Sequence, residues 1–233
     1  MKLFQNVLSW FAIPHRFVAT QSQLRNPGAH LLDVGCANNS PAVAKKYFPD
    51  CVYHGLDRAD YNPGAATDAH IDKFYDINLE SLASLDVLTD GLYDAILCSH
   101  ILEHVGDPYG VALSLASKLS PSGAMYIESP ARRSLDFPRA INGWMGIKGC
   151  LNFWDDVTHV DIVDLDRLAS ALGDQGCAIK RRGHRFMWRR VIFLPAYMAA
   201  GLIMRGYIPA SVVWDVARFA NTMTVMNKVG EET

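Results

Sequence analysis

Residues 31–40 read LLDVGCANNS. A short apolar run closes on Asp33-x-Gly35, and helical spacing begins at Ser40. This is the pattern of a buried strand that stops at a glycine and turns into a helix. Ser40 reads as the N-cap of a helix over 40–48, with Pro41 at its first position, where a missing N–H is harmless. In open parallel sheets, ligands bind beyond the carboxyl ends of the strands, where the first loop meets a helix N-terminus. Gly35 lets backbone approach such a ligand closely. The dinucleotide fingerprint G-x-G-x-x-G is not met, because only its first glycine is present.

Working outward, CVYHGLD (51–57) is a second strand ending at Asp57, 22 residues beyond Gly35. A carboxylate there accepts hydrogen bonds from both hydroxyls of a ribose. Alone, Gly35 reads as a plain turn and Asp57 as a helix cap. At the ends of adjacent strands they point to a nucleoside site. KFYDINL (73–79), YDAILCS (93–99) and AMYIESP (124–130) read as further strands, with a helix over 104–123. The segment 131–160 is irregular but aromatic, which argues for an ordered, functional insert. DLDRLASALGDQG (164–176) reads as a helix capped by Asp164, and 177–188 as two closing strands. Strands alternating with helices imply an α/β fold with a parallel sheet covered on both faces. The divisions are a helical lead-in over 1–28, a main domain over 29–190 with 131–160 on its substrate side, and an apolar helical extension over 191–233.

The whole chain of 233 residues is half hydrophobic, with a net charge of −2. That suits one large domain and gives no general attraction to nucleic acid. Five widely spaced cysteines, none in a C-x-x-C pair, indicate neither disulfide framework nor zinc ribbon. A reducing, cytoplasmic setting is expected. The opening MKLFQNVLSWFAIPHRFV has no cleavage signal before Arg16, so no cleaved leader is expected. The uncharged run VIFLPAYMAAGLIM (191–204) is too short to span a bilayer. Beside the basic KRRGHRFMWRR (180–190), it suits peripheral contact with anionic lipid, or a homodimer through the 191–233 tail.

SHILEH (99–104) spells H-x-x-E-H through His100, Glu103 and His104, an inverted zinc-protease pattern. A zinc site of that kind needs both histidines on one continuous helix. Ser99 and His100 fall where a strand gives way to a loop, which disfavours a zinc hydrolase. The segments LLDVGCANNS, HGLD, YDAILCSHILEHVGDP and LSPSGAMYIESP instead resemble successive motifs of the class I S-adenosylmethionine-dependent methyltransferases, from about residue 29 to 188.

The resemblance implies a Rossmann-like, doubly wound, mostly parallel seven-stranded sheet with helices on both faces. It implies S-adenosyl-L-methionine as cofactor and a small-molecule acceptor: a sugar, lipid-linked glycan or secondary metabolite methylated at oxygen. Asp33 would orient the glycine turn and the cofactor's amino group. Gly35, Cys36 and Ala37 would pass beneath methionine and ribose, with Asp57 on the ribose hydroxyls and Leu56 and Arg58 beside the adenosine. Asn78, rather than Asp76, would meet the adenine amino group, and Ser99 and His100 would flank the sulfonium. The family's G-x-G-x-G is here Gly35, Ala37 and Asn39. Those departures keep a second reading open, a methyltransferase fold that binds without turnover.

An alcohol acceptor must lose a proton, and histidine has a suitable unperturbed pKa. His159 in DDVTHV, then His100 and His104, are the candidate bases, with Asp155 or Asp156 orienting His159. The same trio of Asp155, Asp156 and His159 also suits a metal ion, although no metal is assigned. Trp144, Trp154, Asp156 and His159 are the expected acceptor wall, Phe153 adding a further ring. The basic 180–190 stretch reads either as a guide for an anionic acceptor or as a charged sheet edge.

Overall fold

In β1 (His30–Val34), neighbouring side chains are buried on opposite faces. Leu31 packs with Phe17, Ala44, Tyr53, Leu97 and Tyr126, whereas Leu32 and Val34 pack with Leu56, Ile96, Val111, Ile127 and Leu168. A strand buried on both sides must be covered on both sides. In the computed structural model, which describes residues 13–37, 39–60, 64 and 68–227, it is. One face carries α1 (His15–Leu24) and α2 (Ser40–Tyr47); the other carries α3 (Pro108–Ala116) and α4 (Leu165–Asp174). Residues 1–12 of the expected lead-in lie outside the described residues.

The main sheet has seven strands in the order β3-β2-β1-β4-β5-β9-β7. They are β2 (Val52–Asp57), β3 (Lys73–Asp76), β4 (Tyr93–Ser99), β5 (Leu119–Pro130), β7 (Cys177–His184) and β9 (Ala220–Asn227), with β1. β1 pairs in parallel with β2 on one side and β4 on the other, Asp33 standing opposite Gly55 and Leu97. The crossovers therefore diverge between β1 and β4. That is the switch point at which open α/β sheets bind ligands. β9 runs antiparallel between β5 and β7. A separate two-stranded ribbon joins β6 (Ile147–Lys148) to β8 (Ile208–Pro209).

Three readings of the sequence need correction. The apolar tail is not a purely helical extension, and the boundary at 190 separates two strands of one sheet. After α5 (Trp188–Ile192), α6 (Leu194–Arg205) and α7 (Ala210–Ala217), the chain returns as β9. Met223 and Val225 are fully buried, and Thr222 and Thr224 nearly so. Burial on both faces hides the alternation that would mark ANTMTVMN as a strand. Consequently 177–188 supplies one closing strand rather than two. The helix expected over 104–123 is only α3; Asp107 caps it, accepting from Gly110 N at 2.9 Å, and β5 begins at Leu119. Gly123 is no helix stop. A Cβ there would stand 2.5 Å from the Tyr93 carbonyl oxygen, so its role is close packing of β5 on β4.

The expected basic stretch divides by face. Lys180, Arg181 and Arg182 are exposed on edge strand β7, while Arg185 and Arg189 are buried. Beyond it, Ile192, Ile203 and Met204 stand 63%, 85% and 81% exposed. This is the surface to which the sequence assigned membrane contact or dimerisation. No described helix is long and apolar enough to cross a membrane.

Because β9 hydrogen-bonds to both β5 and β7, removing residues 218–233 strips partners from two strands. The truncated chain is expected to lose cooperative unfolding, seen as a flattened urea transition by circular dichroism.

Candidate functional site

The carboxyl ends of β1, β2 and β4 open into a cleft of about 550 Å³. That volume suits a nucleoside-sized ligand. Gly35, Leu56, Asp57, Arg58, Asn78 and His100 line it, six of the ten expected cofactor contacts. Gly35 adopts φ +75°, and a Cβ on it would sit 2.1 Å from the Ile101 side chain. Only glycine meets both demands. Its N–H donates to the Leu56 carbonyl at 2.7 Å, tying the turn to β2. Asp57 ends β2 with its carboxylate accepting from Arg58 N at 2.8 Å. Burial raises its pKa, while backbone N–H groups of Arg58 and Ala37 oppose that shift. Asn78 is on the cleft wall, whereas Asp76 is committed to Ala59 N at 2.9 Å.

The remaining four expected contacts stand elsewhere. Asp33 is buried beneath the turn, its Oδ2 accepting from Ser40 Oγ and from Tyr53 O–H at 2.6 Å. It positions the turn and does not line the cleft. Ser40 is therefore not the N-cap: Asn39 is, at φ +63°, and Ser40 lies inside α2. Asparagine tolerates this left-handed conformation better than most residues, so Asn39 supplies what a glycine would. Cys36 is wholly buried, its Sγ facing Gly55 in the core. Ala37 reaches the site only through its backbone bond to Asp57. Ser99 lines a second cavity, on the far side of His100.

His100 is a further left-handed residue, at φ +56°. Its N–H donates to the Glu128 carbonyl at 2.7 Å. Nδ1 lies 3.1 Å from Glu103 Oε1, and Nε2 lies 3.0 Å from Glu128 Oε1. Burial opposes protonation, but the two carboxylates outweigh it and raise the pKa to about 9. His100 is thus an imidazolium with both nitrogens occupied at neutral pH, and it is not a base. Glu128 accepts from Tyr126 O–H and, at 3.1 Å, from Arg185 Nη1. Despite burial, the Arg185 and His100 charges hold its carboxyl well below the usual range. Tyr126 O–H in turn meets His15 Nδ1 at 2.8 Å, which brings α1 into the same network.

SHILEH is no helical zinc motif, since Leu102–His104 form a single 3₁₀ turn and His100 lies outside it. His104 lines the cleft, with Nδ1 2.9 Å from Thr158 Oγ1; that hydroxyl donates to Asp156 Oδ1 at 2.6 Å. His104 therefore donates at Nδ1. His159 is buried and does not reach the cleft; it stacks on Phe153, and its Nδ1 donates to the Phe153 carbonyl at 2.6 Å. Burial lowers its pKa and keeps it neutral. Asp155 does not orient it: its carboxylate accepts four backbone N–H groups, from Ala140, Ile141, Leu151 and Asn152. Trp144 and Trp154, 40% and 47% exposed, line neither cavity, while Asp156 lines the cleft. Glu103, His104 and His159 each offer one ligand atom within 4.8 Å of the others, and Glu103 Oε2 is buried without a partner among the described residues. That two-histidine, one-carboxylate set suits a divalent ion. Sequence reading missed Glu128 and Arg185, because side chains 57 positions apart carry no periodic signal.

Residues 8–181 match the family described as "Methyltransferase domain". The ubiquinone biosynthesis O-methyltransferase of Xanthomonas campestris pv. campestris is 28% identical over 137 residues, 56% of this chain and 55% of that protein. The chain thus spans about half the length of the curated relatives it matches. Among solved structures, an S-adenosylmethionine-dependent methyltransferase from Mesorhizobium loti superposes with a TM-score of 0.59 at 16% identity, over 93% of this chain and 100% of that one. The plantazolicin methyltransferase BpumL, solved in complex with SAH, gives 0.58 at 15% identity, over 91% and 81%. At these identities the structural likeness carries the fold alone.

The His100 geometry makes stability depend on pH. Its pKa is raised from 6.5 to about 9, so the stabilisation is full below pH 6.5 and is lost as pH rises through 9. Urea denaturation at a series of pH values should show stability falling across that window. A His100→Asn variant, which tolerates the left-handed backbone but carries no charge, should show no such fall there.

Proposed function

The chain belongs to the methyltransferase-domain family, with the class I fold, and from that premise we propose that it transfers a methyl group from S-adenosyl-L-methionine to an oxygen of a small molecule. The observation that carries this reading is the pairing of Gly35 and Asp57 at adjacent strand ends, facing one cleft. The residues fit the cofactor. Gly35 lines the cleft with no side chain of its own, Asp57 offers a carboxylate that would accept from ribose hydroxyls, and Leu56, Ile77 and Leu79 give an apolar flank beside Asn78.

When bound, S-adenosylmethionine supplies a methyl group already activated on sulfur, and such chemistry asks mainly for positioning. The protein's own residues do that work. Asp57 and Asn78 fix the nucleoside, the Gly35 turn sets its depth, and the clamped His100 gives a rigid, cationic wall. Of the three histidines considered as base, His100 and His104 line the cleft, and His100 has both ring nitrogens held by carboxylates, which leaves His104.

The O-methyltransferase relatives support oxygen as the methylated atom, and a small acceptor suits a cleft of this size. Ala37 and Asn39 do not favour binding without turnover, because the Asn39 backbone already takes the left-handed form that the missing glycine would supply. Five widely spaced cysteines, none in a C-x-x-C pair, are consistent with a reducing compartment such as the cytoplasm.

Calorimetric titration with S-adenosylhomocysteine tests the reading. The wild type should bind in the micromolar range, and Asp57→Ala should weaken binding by about tenfold or more, since each hydrogen bond to a charged group is worth about 1.5–3 kcal/mol. A folded wild type that does not bind would remove the enzyme reading.

A further inference from the structure

Across His100 from the nucleoside cleft lies a second cavity of about 240 Å³. Ser99 and Glu128 reach it from the carboxyl ends of β4 and β5, and Arg16 from the first turn of α1. Arg185 and Arg190 reach it from the segment after β7, and Ser211 and Trp214 from α7. Three guanidiniums and the His100 imidazolium therefore line it, against one carboxylate, Glu128. That carboxylate is already occupied by His100, Arg185 and Tyr126.

Other carboxylates stand outside the lining. Asp33 is taken by Ser40 and Tyr53, and Glu103 by the cleft side of His100. Asp215 accepts from Met187 N at 2.9 Å and forms ion pairs with Arg185 and Arg190 at 3.6 and 3.8 Å, which balance part of their charge but are longer than hydrogen bonds. Donors are left over as a result. Arg185, only 7% exposed, has its Nε without a partner among the described residues, as have the Nε of Arg16 and the Oγ of Ser99. Buried donors without acceptors are costly, and here the residues that carry them line one cavity, with the Asp215 Oδ2 acceptor also left without a hydrogen bond among the described residues. The Trp214 ring, stacked on Phe219 at 4.6 Å and lying 5.4 Å from the Arg185 guanidinium, adds a flat apolar surface.

We propose that this cavity binds the acid group, carboxylate or phosphate, of a small planar acceptor, and so holds that acceptor against His100 beside the cofactor cleft. The assignment of the ligand as acceptor rests on the methyl-transfer reading; the anion site itself does not. Arg16, Arg185 and Arg190 supply the charge-assisted donors, Ser99 a hydroxyl, and Trp214 apolar surface for the body of the acceptor. Two of the basic residues in the 180–190 stretch thus serve a site, while the exposed ones guard a sheet edge.

The test is calorimetric titration of the full chain with benzoate, phenyl phosphate and benzyl alcohol, each with and without saturating S-adenosylhomocysteine. Benzoate or phenyl phosphate should bind in both conditions and benzyl alcohol in neither, the tighter of the two acids identifying the group. Arg190→Gln should weaken the acid probe by about tenfold, the loss of a charge-assisted contact, and leave S-adenosylhomocysteine affinity within about twofold. Ser211→Glu, an exposed position at the same cavity, should do likewise and guards against misfolding of the first variant. Acid probes that bind no better than benzyl alcohol, or that ignore both variants, would overturn the proposal. So would competition between acid probe and S-adenosylhomocysteine with both weakened by Arg190→Gln, which would make the cavity part of the cofactor site. If the acid probes behave as expected but the wild type binds no S-adenosylhomocysteine, the anion site stands and the methyl-transfer reading falls.

Discussion

A single buried carboxylate, Glu128, is the constraint on which the site depends. It stands on β5 and is reached by His100 after β4, by Arg185 after β7 and by Tyr126. Taking a carboxylate out of water is costly unless charge and hydrogen bonds replace the solvent, and here three donors do so. Removing one partner of such a group leaves the others uncompensated, at a cost of about 3–5 kcal/mol. The same contacts hold His100 in a left-handed conformation that costs about 1–2 kcal/mol in an L residue. Neither strain nor buried charge is needed for an α/β sheet to fold. Both occur at the ends of the strands, where position matters to function.

That arrangement makes His100 a partition. On one side lies the cleft bounded by Gly35, Asp57 and Asn78; on the other lies the basic cavity bounded by Arg16, Arg185 and Arg190. The cleft side is built mostly from the first 105 residues, with Asp156 and Thr158 added from the later insert. The basic side needs the last sixty as well, because Arg185, Arg190 and Trp214 stand on elements that close the sheet. A methyl donor and an acceptor must meet in one geometry, and a wall clamped from two sides allows that better than a mobile loop.

The cleft half was legible in the sequence for a physical reason. Each of its residues sits at the end of a strand, and strand ends are marked locally by an apolar run meeting glycine or aspartate. Gly35 and Asp57 could therefore be placed without any contact information. Asp33 and Cys36 could not be told apart from them, because adjacency in sequence does not say which side of a turn faces a ligand. One carries the turn from below and the other points into the core. β9 was missed because a strand buried on both faces looks like any apolar tail. The network around Glu128 was missed because its partners come from four separate elements. His159 and the aromatic residues Trp144 and Trp154 were chosen for their chemistry; packing and exposure put them away from the cleft.

The proposed function stands or falls on whether the cleft at the β1/β4 switch point holds the nucleoside of S-adenosylmethionine. A crystal structure of the chain grown with S-adenosylhomocysteine tests it most directly. The account predicts the ribose hydroxyls on the Asp57 carboxylate, the adenine beside Asn78 and the sulfur turned toward His100, with the basic cavity left open. Nucleoside density anywhere else, or a ribose that makes no contact with Asp57, would contradict it.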